Sequence, residues 1–230
     1  LIIFPHIPKT AGTSLRVQLS SFDNKRLLID DLEDYPFSLN KNVLDSREIF
    51  KSKAISNKDI LLSSYDVIFG HFIADKYVFL KNYTDYNLIC FLRNPTERTI
   101  SHYFYWKKML ATGTVGEVLL NNLPFLNQIA DNTMSLEEFS KLPQVKNFYK
   151  IYFGSNQISD FSFIGISERF DESIAIINKK FGTNFISLRE NVVEKVKYLE
   201  EINNCYHKIE KVNEENYYYY NLALKTFWNK

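Results

Sequence analysis

The sequence predicts a single α/β domain, a mainly parallel sheet with helices on both faces, on three observations. Four short runs, Leu1–Phe4, Val67–Phe69, Leu88–Leu92 and Phe161–Ile166, are apolar at every or nearly every position. Each has the length of a strand, and a strand apolar on both sides is one covered on both sides, as in a parallel sheet. Segments of helical character separate the runs, which gives the β-α alternation of such a sheet. No internal repeat or low-complexity linker divides residues 1–230, and that length suits one domain with a proper core.

Taken in order, Leu1–Phe4 opens the sheet and leads to Ala11, Leu15 and Leu19, one face of a first helix. Asp23–Asp59 is polar and weakly patterned, and Tyr65-Asp66 introduces the second strand. Leu88–Leu92 runs into a helix with Pro95 near its start, where a missing N–H costs little. Ile100, Tyr103, Phe104 and Ala111 mark that helix's inner face, and Met109–Leu142 is again weakly patterned. Ser135 and Glu138 have the spacing of a capping box. After Phe161–Ile166 a helix is expected from an Asp171 cap to Gly182, with Ile174, Ile177 and Phe181 inward. The tail is helix-rich, and its tyrosines Tyr217–Tyr220 divide between packing and surface.

Composition narrows the function classes. A formal net charge of +1 gives no global field for nucleic acid or an anionic membrane, so any bound anion must be held by local arrangement. The 15 Tyr and 19 Phe are expected in packing. Cys90 lies in an apolar run and with Cys205 makes no disulfide framework. The histidines and cysteines lack zinc-ligand spacing, so no metal is expected. No apolar run approaches the roughly 20 residues that span a bilayer, and Leu1–Phe4 is too short for a signal peptide. The expected compartment is the cytoplasm; the chain opens inside a strand without an initiator Met, so an upstream anchor is left open.

Ligands of parallel sheets bind at the carboxyl ends of the strands, and three motifs fall there. The first strand ends in Pro5-His6-Ile7-Pro8-Lys9-Thr10-Ala11-Gly12-Thr13-Ser14 and a helix follows at once. A small-residue loop entering a helix offers unpaired N–H groups and the positive end of the helix dipole, and both favour phosphate. Lys9 adds a full charge, Gly12 permits close backbone approach, and Thr13 and Ser14 add hydroxyls. On composition alone an ordinary strand–turn–helix with a solvated lysine fits equally. Residue order separates the loop from the nucleoside-triphosphate type: in G-x-x-x-x-G-K-[ST] the lysine follows the glycines, and here Lys9 precedes Gly12.

The third run leads into Arg93-Asn94-Pro95-Thr96-Glu97-Arg98-Thr99-Ile100-Ser101-His102-Tyr103. Arg93 places a bidentate fork at a strand's carboxyl end, and Ser101 follows about two helical turns on. The second strand ends in Phe69-Gly70-His71, and the fourth is followed by Ser167-Glu168-Arg169-Phe170. Taken separately, each also fits an ordinary capped helix or strand end.

Together the motifs resemble those of the PAPS-dependent sulfotransferase superfamily, in the carbohydrate branch of the heparan sulfate 2-O- and 6-O-sulfotransferases. The loop is similar to that branch's H-I-P-K-T-x-G-T-[ST], and Arg93–Tyr103 to its R-[DN]-P-x-x-R-x-x-S-x-Y. The resemblance covers Leu1 to about Phe181 and implies a P-loop-like fold and a metal-independent enzyme. That enzyme would move a sulfuryl group from 3′-phosphoadenosine 5′-phosphosulfate (PAPS) to a hydroxyl acceptor, expected to be a glycan. It implies that Lys9, Thr10, Ala11, Gly12, Thr13 and Ser14 hold the 5′-phosphosulfate, and Arg93 and Ser101 the 3′-phosphate. His71 would be the general base, Ser167 a further nucleotide contact, and Arg98 structural. Asp75, four residues past His71, is the alternative base if the segment turns helical. Asp23–Asp59 and Met109–Leu142 then read as excursions that either build the acceptor site or form a structural lid. The competing readings are a P-loop kinase, which needs a Walker lysine and a magnesium-binding acid, and a nucleotide-binding module without turnover.

Overall fold

The computed structural model describes residues 1–20, 26–31, 36, 38–186 and 198–228, and leaves the side chains of Thr13, Gln18 and Ser20 undescribed. Its centre is a sheet of β1 (Ile2–Pro5), β2 (Leu27–Ile29), β3 (Val67–Gly70), β4 (Asn87–Leu92) and β5 (Phe163–Ile166) in the order β2-β3-β1-β4-β5. Every pairing is parallel, with Ile2 opposite both Val67 and Asn87, and Ile89 opposite Phe163. The apolar runs form β1, β3, β4 and β5 because their side chains are buried on both faces: Ile3, Ile68, Phe69, Cys90, Leu92 and Ile164 are all sealed from solvent. From β1 the chain moves toward β2 and β3, and from β4 toward β5. The crevice between the carboxyl ends of β1 and β4 is therefore the topological switch point, where such sheets bind ligands.

Helices α1 (Gly12–Ser20), α2 (Lys41–Ser56) and α3 (Lys58–Ser64) follow β1 and β2, and a 3₁₀ helix at Ala74–Asn82 follows β3. After β4 come α4 (Pro95–Ala111), α5 (Glu117–Asn122), α6 (Phe125–Ala130), α7 (Leu136–Ser140), α8 (Pro143–Lys146) and α9 (Phe148–Phe153). After β5 come α10 (Phe170–Phe181), α11 (Leu199–Val212) and α12 (Glu214–Phe227). Pro95 takes the first turn of α4 and Asn94 caps it by accepting from the Glu97 amide (3.2 Å). The capping box forms as expected: Glu138 donates its amide to Ser135 Oγ (3.2 Å) and its carboxylate accepts from the Ser135 amide (2.8 Å).

Three expectations shift. Ala111 is exposed at the end of α4, whose buried face stops near Trp106. The cap of α10 is Arg169, and Asp171 lies inside the first turn, where its charge faces the positive end of the helix. Phe181 packs against the core but stays half-buried at the end of the helix, and Gly182 closes it in the left-handed conformation (φ 62°). Phe161 and Ser162 precede β5 instead of starting it. No helix among the described residues is long and apolar enough to cross a membrane.

Candidate active site

The loop after β1 is wound tightly. The His6 amide donates to the Gly70 carbonyl (2.7 Å), carrying the β1–β3 pairing one residue beyond the strand. Lys9 (φ 70°) and Ala11 (φ 71°) are left-handed, and Thr10 between them is not. Each left-handed L-residue costs about 1–2 kcal/mol, so two in three residues mark a loop shaped for something other than chain economy. Alternating handedness is the backbone geometry of anion-binding nests. Thr10 is fully buried and donates its hydroxyl to the Ile7 carbonyl (2.7 Å), so its side chain closes the loop from beneath. Ser14 is buried at the start of α1, and the Thr13 side chain lies outside the described residues. Gly12 makes room for a neighbour: a Cβ there would stand 1.5 Å from His6 Nε2.

That His6 ring stacks on Phe69 (5.2 Å between centroids) and tilts over His71 (4.4 Å). His71 sits just past β3, with Nδ1 2.9 Å from the His6 carbonyl oxygen. A carbonyl can only accept, so Nδ1 carries the proton and Nε2 keeps its lone pair. Burial lowers the His71 pKa, partly offset by the charge of Asp31 beyond β2, so the imidazole is neutral near pH 7. Asp31 is paired with Arg16 through Oδ2. Asp75 is turned elsewhere: its carboxylate accepts from the Ser155 amide (2.9 Å) and hydroxyl (2.8 Å) and from Asn156 Nδ2 (2.9 Å). It ties the Ala74–Asn82 helix to the segment after α9.

Arg93 follows β4, the strand beside β1. Its Nη1 donates to the Lys9 carbonyl (3.4 Å) and its Nη2 stands 3.6 Å from Glu97 Oε2. Its backbone is held at both ends by one hydroxyl: the Arg93 amide donates to Tyr149 Oη (3.2 Å), and Tyr149 donates back to the Arg93 carbonyl. Lys9 lays its ammonium over the Tyr105 ring, 4.3 Å from the centroid. Burial first, then the charges of Arg93 and Lys108, hold Lys9 down to about 8. Glu97, Ser101, Tyr105 and Lys108 are spaced four, four and three positions apart, one face of α4, and through Tyr105 that face fronts the loop. Ser101, buried, is one turn before Tyr105 on it.

The predicted residues thus divide. Lys9, the loop and Arg93 meet directly, and His71 is fixed to the same loop through His6. Ser167, at the end of β5, donates to the Leu92 carbonyl (3.0 Å), tying the ends of β5 and β4 one residue before Arg93. Arg98 is fully buried against Phe148, its guanidinium carbon 3.7 Å from the ring centroid, as a structural residue. Four contributors escaped sequence reasoning: Tyr105, Tyr149, Glu168 and Tyr217. Glu168 Oε1 accepts from the Asn94 amide (2.7 Å), and Tyr217 donates to Asn94 Oδ1 (3.2 Å). Tyr105 carried a signal in its i+4 spacing from Ser101, and Glu168 stood beside Ser167 in the stretch after the fourth run without being given a role.

No family model matches the chain, and no curated protein matches it. Solved structures that resemble it at low identity include the following two. One is a sulfotransferase from Alicyclobacillus acidocaldarius, 13% identical, with a TM-score of 0.41 and 93% of each chain covered. The other is an uncharacterized protein from Eubacterium ventriosum ATCC 27560, 14% identical, with a TM-score of 0.34 over 79% of this chain and 98% of that one.

Proposed function

We propose that the chain is a PAPS-dependent sulfotransferase acting on a hydroxyl acceptor, with a sugar hydroxyl as the preferred class. One observation carries this reading: a left-handed phosphate loop bearing Lys9 and a strand-end Arg93 meet at the switch point of the sheet, 3.4 Å apart at Arg93 Nη1 and the Lys9 carbonyl. Two cationic segments after adjacent strands suit a nucleotide with two separate phosphate groups. His71 Nε2 accepts the acceptor's proton as its oxygen attacks sulfur in line. The S–O bond to the 5′-phosphate breaks, and Lys9 with the loop N–H groups stabilises the charge left on that oxygen. The products are the sulfate ester and 3′,5′-ADP. Arg93 and Ser101 hold the 3′-phosphate and fix the donor's register, with Ser167 bracing the strand end beside them.

Calorimetry in EDTA with 3′,5′-ADP, AMP and ATP tests the donor. The 3′-phosphorylated nucleotide should bind tightest, and Arg93→Ala should remove about 1.5–3 kcal/mol of its binding, the range for a charged hydrogen bond. Equal affinities for all three would sink the assignment. Turnover that needs magnesium would point to phosphoryl transfer instead.

A further inference from the structure

Two stretches outside the sheet, one leading into α2 and one after α4, meet each other. Ser38 donates its hydroxyl to the Asn122 carbonyl (2.8 Å), and Asn40 Nδ2 faces Asn122 Oδ1 at 3.5 Å. Arg47 on α2 fixes the approach by donating to the carbonyls of Pro36 (3.0 Å) and Ser38 (3.2 Å). Where the stretches join, they and the turn into α8 enclose a cleft of about 440 Å³. That volume falls within the roughly 300–1,000 Å³ of small-molecule sites.

The lining has a definite chemistry. Four carboxamides face it, from Asn40, Asn122, Gln128 and Gln144, against an apolar wall that includes Leu123, Phe125 and Leu142. No charged side chain among the described residues lines it. Gln144 is 8% exposed, and its Oε1 is buried without a hydrogen-bond partner. A buried acceptor left unpaired is a standing penalty, which a turn of the Gln144 carboxamide toward a ligand's O–H in the cleft would remove. Asn40 Oδ1 already accepts from the Asn42 amide (3.0 Å), which leaves its Nδ2, at the long 3.5 Å contact, as the donor the cleft can use. Carboxamides offer donors and acceptors together without charge, which matches hydroxyl groups that must do both. The apolar wall suits the C–H face of a sugar ring. An anionic ring would call for the arginine or lysine that this lining lacks.

We infer that this cleft is an acceptor subsite for an uncharged sugar residue. The inference rests on the sulfotransferase reading for the word acceptor, and on the cleft alone for the neutral sugar. Titration of ligand-observed saturation-transfer NMR signals provides the test, with methyl β-D-glucopyranoside and methyl β-D-glucuronide as probes. The neutral glycoside should bind at least about tenfold more tightly than the charged one, because a carboxylate here finds no cation. Gln144→Met and the exposed-site variant Gln128→Ala should each weaken the neutral probe by about three- to tenfold, the loss of one hydrogen bond. Calorimetric binding of 3′,5′-ADP should be unchanged in both. No signal from the neutral probe, equal affinity for the glucuronide, or unchanged binding in both variants overturns the subsite. Failure of 3′,5′-ADP to bind with glycoside binding intact would remove the donor reading and leave the neutral-sugar site standing.

Discussion

At the scale of single residues, His71 has the clearest chemical assignment. The His6 carbonyl dictates its tautomer, and a neighbour that can only accept leaves Nε2 as the sole proton acceptor of the ring. His71→Ala should cut turnover by about 10²–10⁴-fold while 3′,5′-ADP affinity stays near normal. The pH dependence follows from two shifts of opposite consequence. As the proposed base His71 must be neutral, and burial lowers its pKa, so the acid limb of activity should lie below the ordinary imidazole range. Lys9 must be protonated, and in the free enzyme it loses its proton near pH 8. The profile of kcat/KM, which reports the free enzyme, should therefore be a bell with its alkaline limb near 8, and Lys9→Arg should move that limb upward. An alkaline limb that stays near 8 in Lys9→Arg would assign it to another group.

At the scale of elements, legibility tracked burial and sequence distance. β1, β3, β4 and β5 were readable because each is apolar on both faces, and the placement of Lys9, His71 and Arg93 at the carboxyl edge because each lies within a few residues of such a strand's end. β2 was not readable: three half-buried residues at the sheet edge give no pattern. In α2 only Val43 and Ala54 are buried along 16 residues, so no stripe marked it. The Tyr149 clamp was invisible for a different reason, since 56 residues separate it from Arg93 and only the folded chain joins them. Gly12 was read as room for a ligand, and the fold adds a second cause, the His6 ring. Gly12→Ala should overpack that contact at a cost of about 1–3 kcal/mol, measured by urea unfolding. His6→Ala removes the obstacle, so the double variant should be less destabilised than the two single changes summed. Simple additivity would mean that the ring is not what excludes a side chain at residue 12.

At the scale of the whole molecule, a chain of net charge +1 brings three of its cations, Lys9, Arg93 and Lys108, close to one another at the carboxyl edge of the sheet. Burial and then the charges of Arg93 and Lys108 depress Lys9, and burial first, with the charge of Arg93, lowers the buried Arg98 to about 10 against the opposing pull of Tyr149 and Tyr152. An edge that repels itself when empty is relieved by an anion, so donor binding should couple to both stability and protonation. At a hundredfold excess over Kd a ligand adds about 2.7 kcal/mol, which for a chain of this size raises the melting temperature by roughly 5–10 °C. 3′,5′-ADP should do this far better than AMP at equal concentration, and Arg93→Ala should bring the two together. The proton coupling is the sharper measurement. An anion beside Lys9 raises its pKa from about 8, so at pH 8 a group that is half-deprotonated when free becomes charged when bound. Binding at pH 8, where the nucleotide's phosphates are already fully ionised, should then take up as much as about half a proton. Calorimetry in buffers of differing ionisation enthalpy reads that number directly. Proton release at pH 8, or uptake that persists in Lys9→Met, would show that the phosphate does not lie against Lys9.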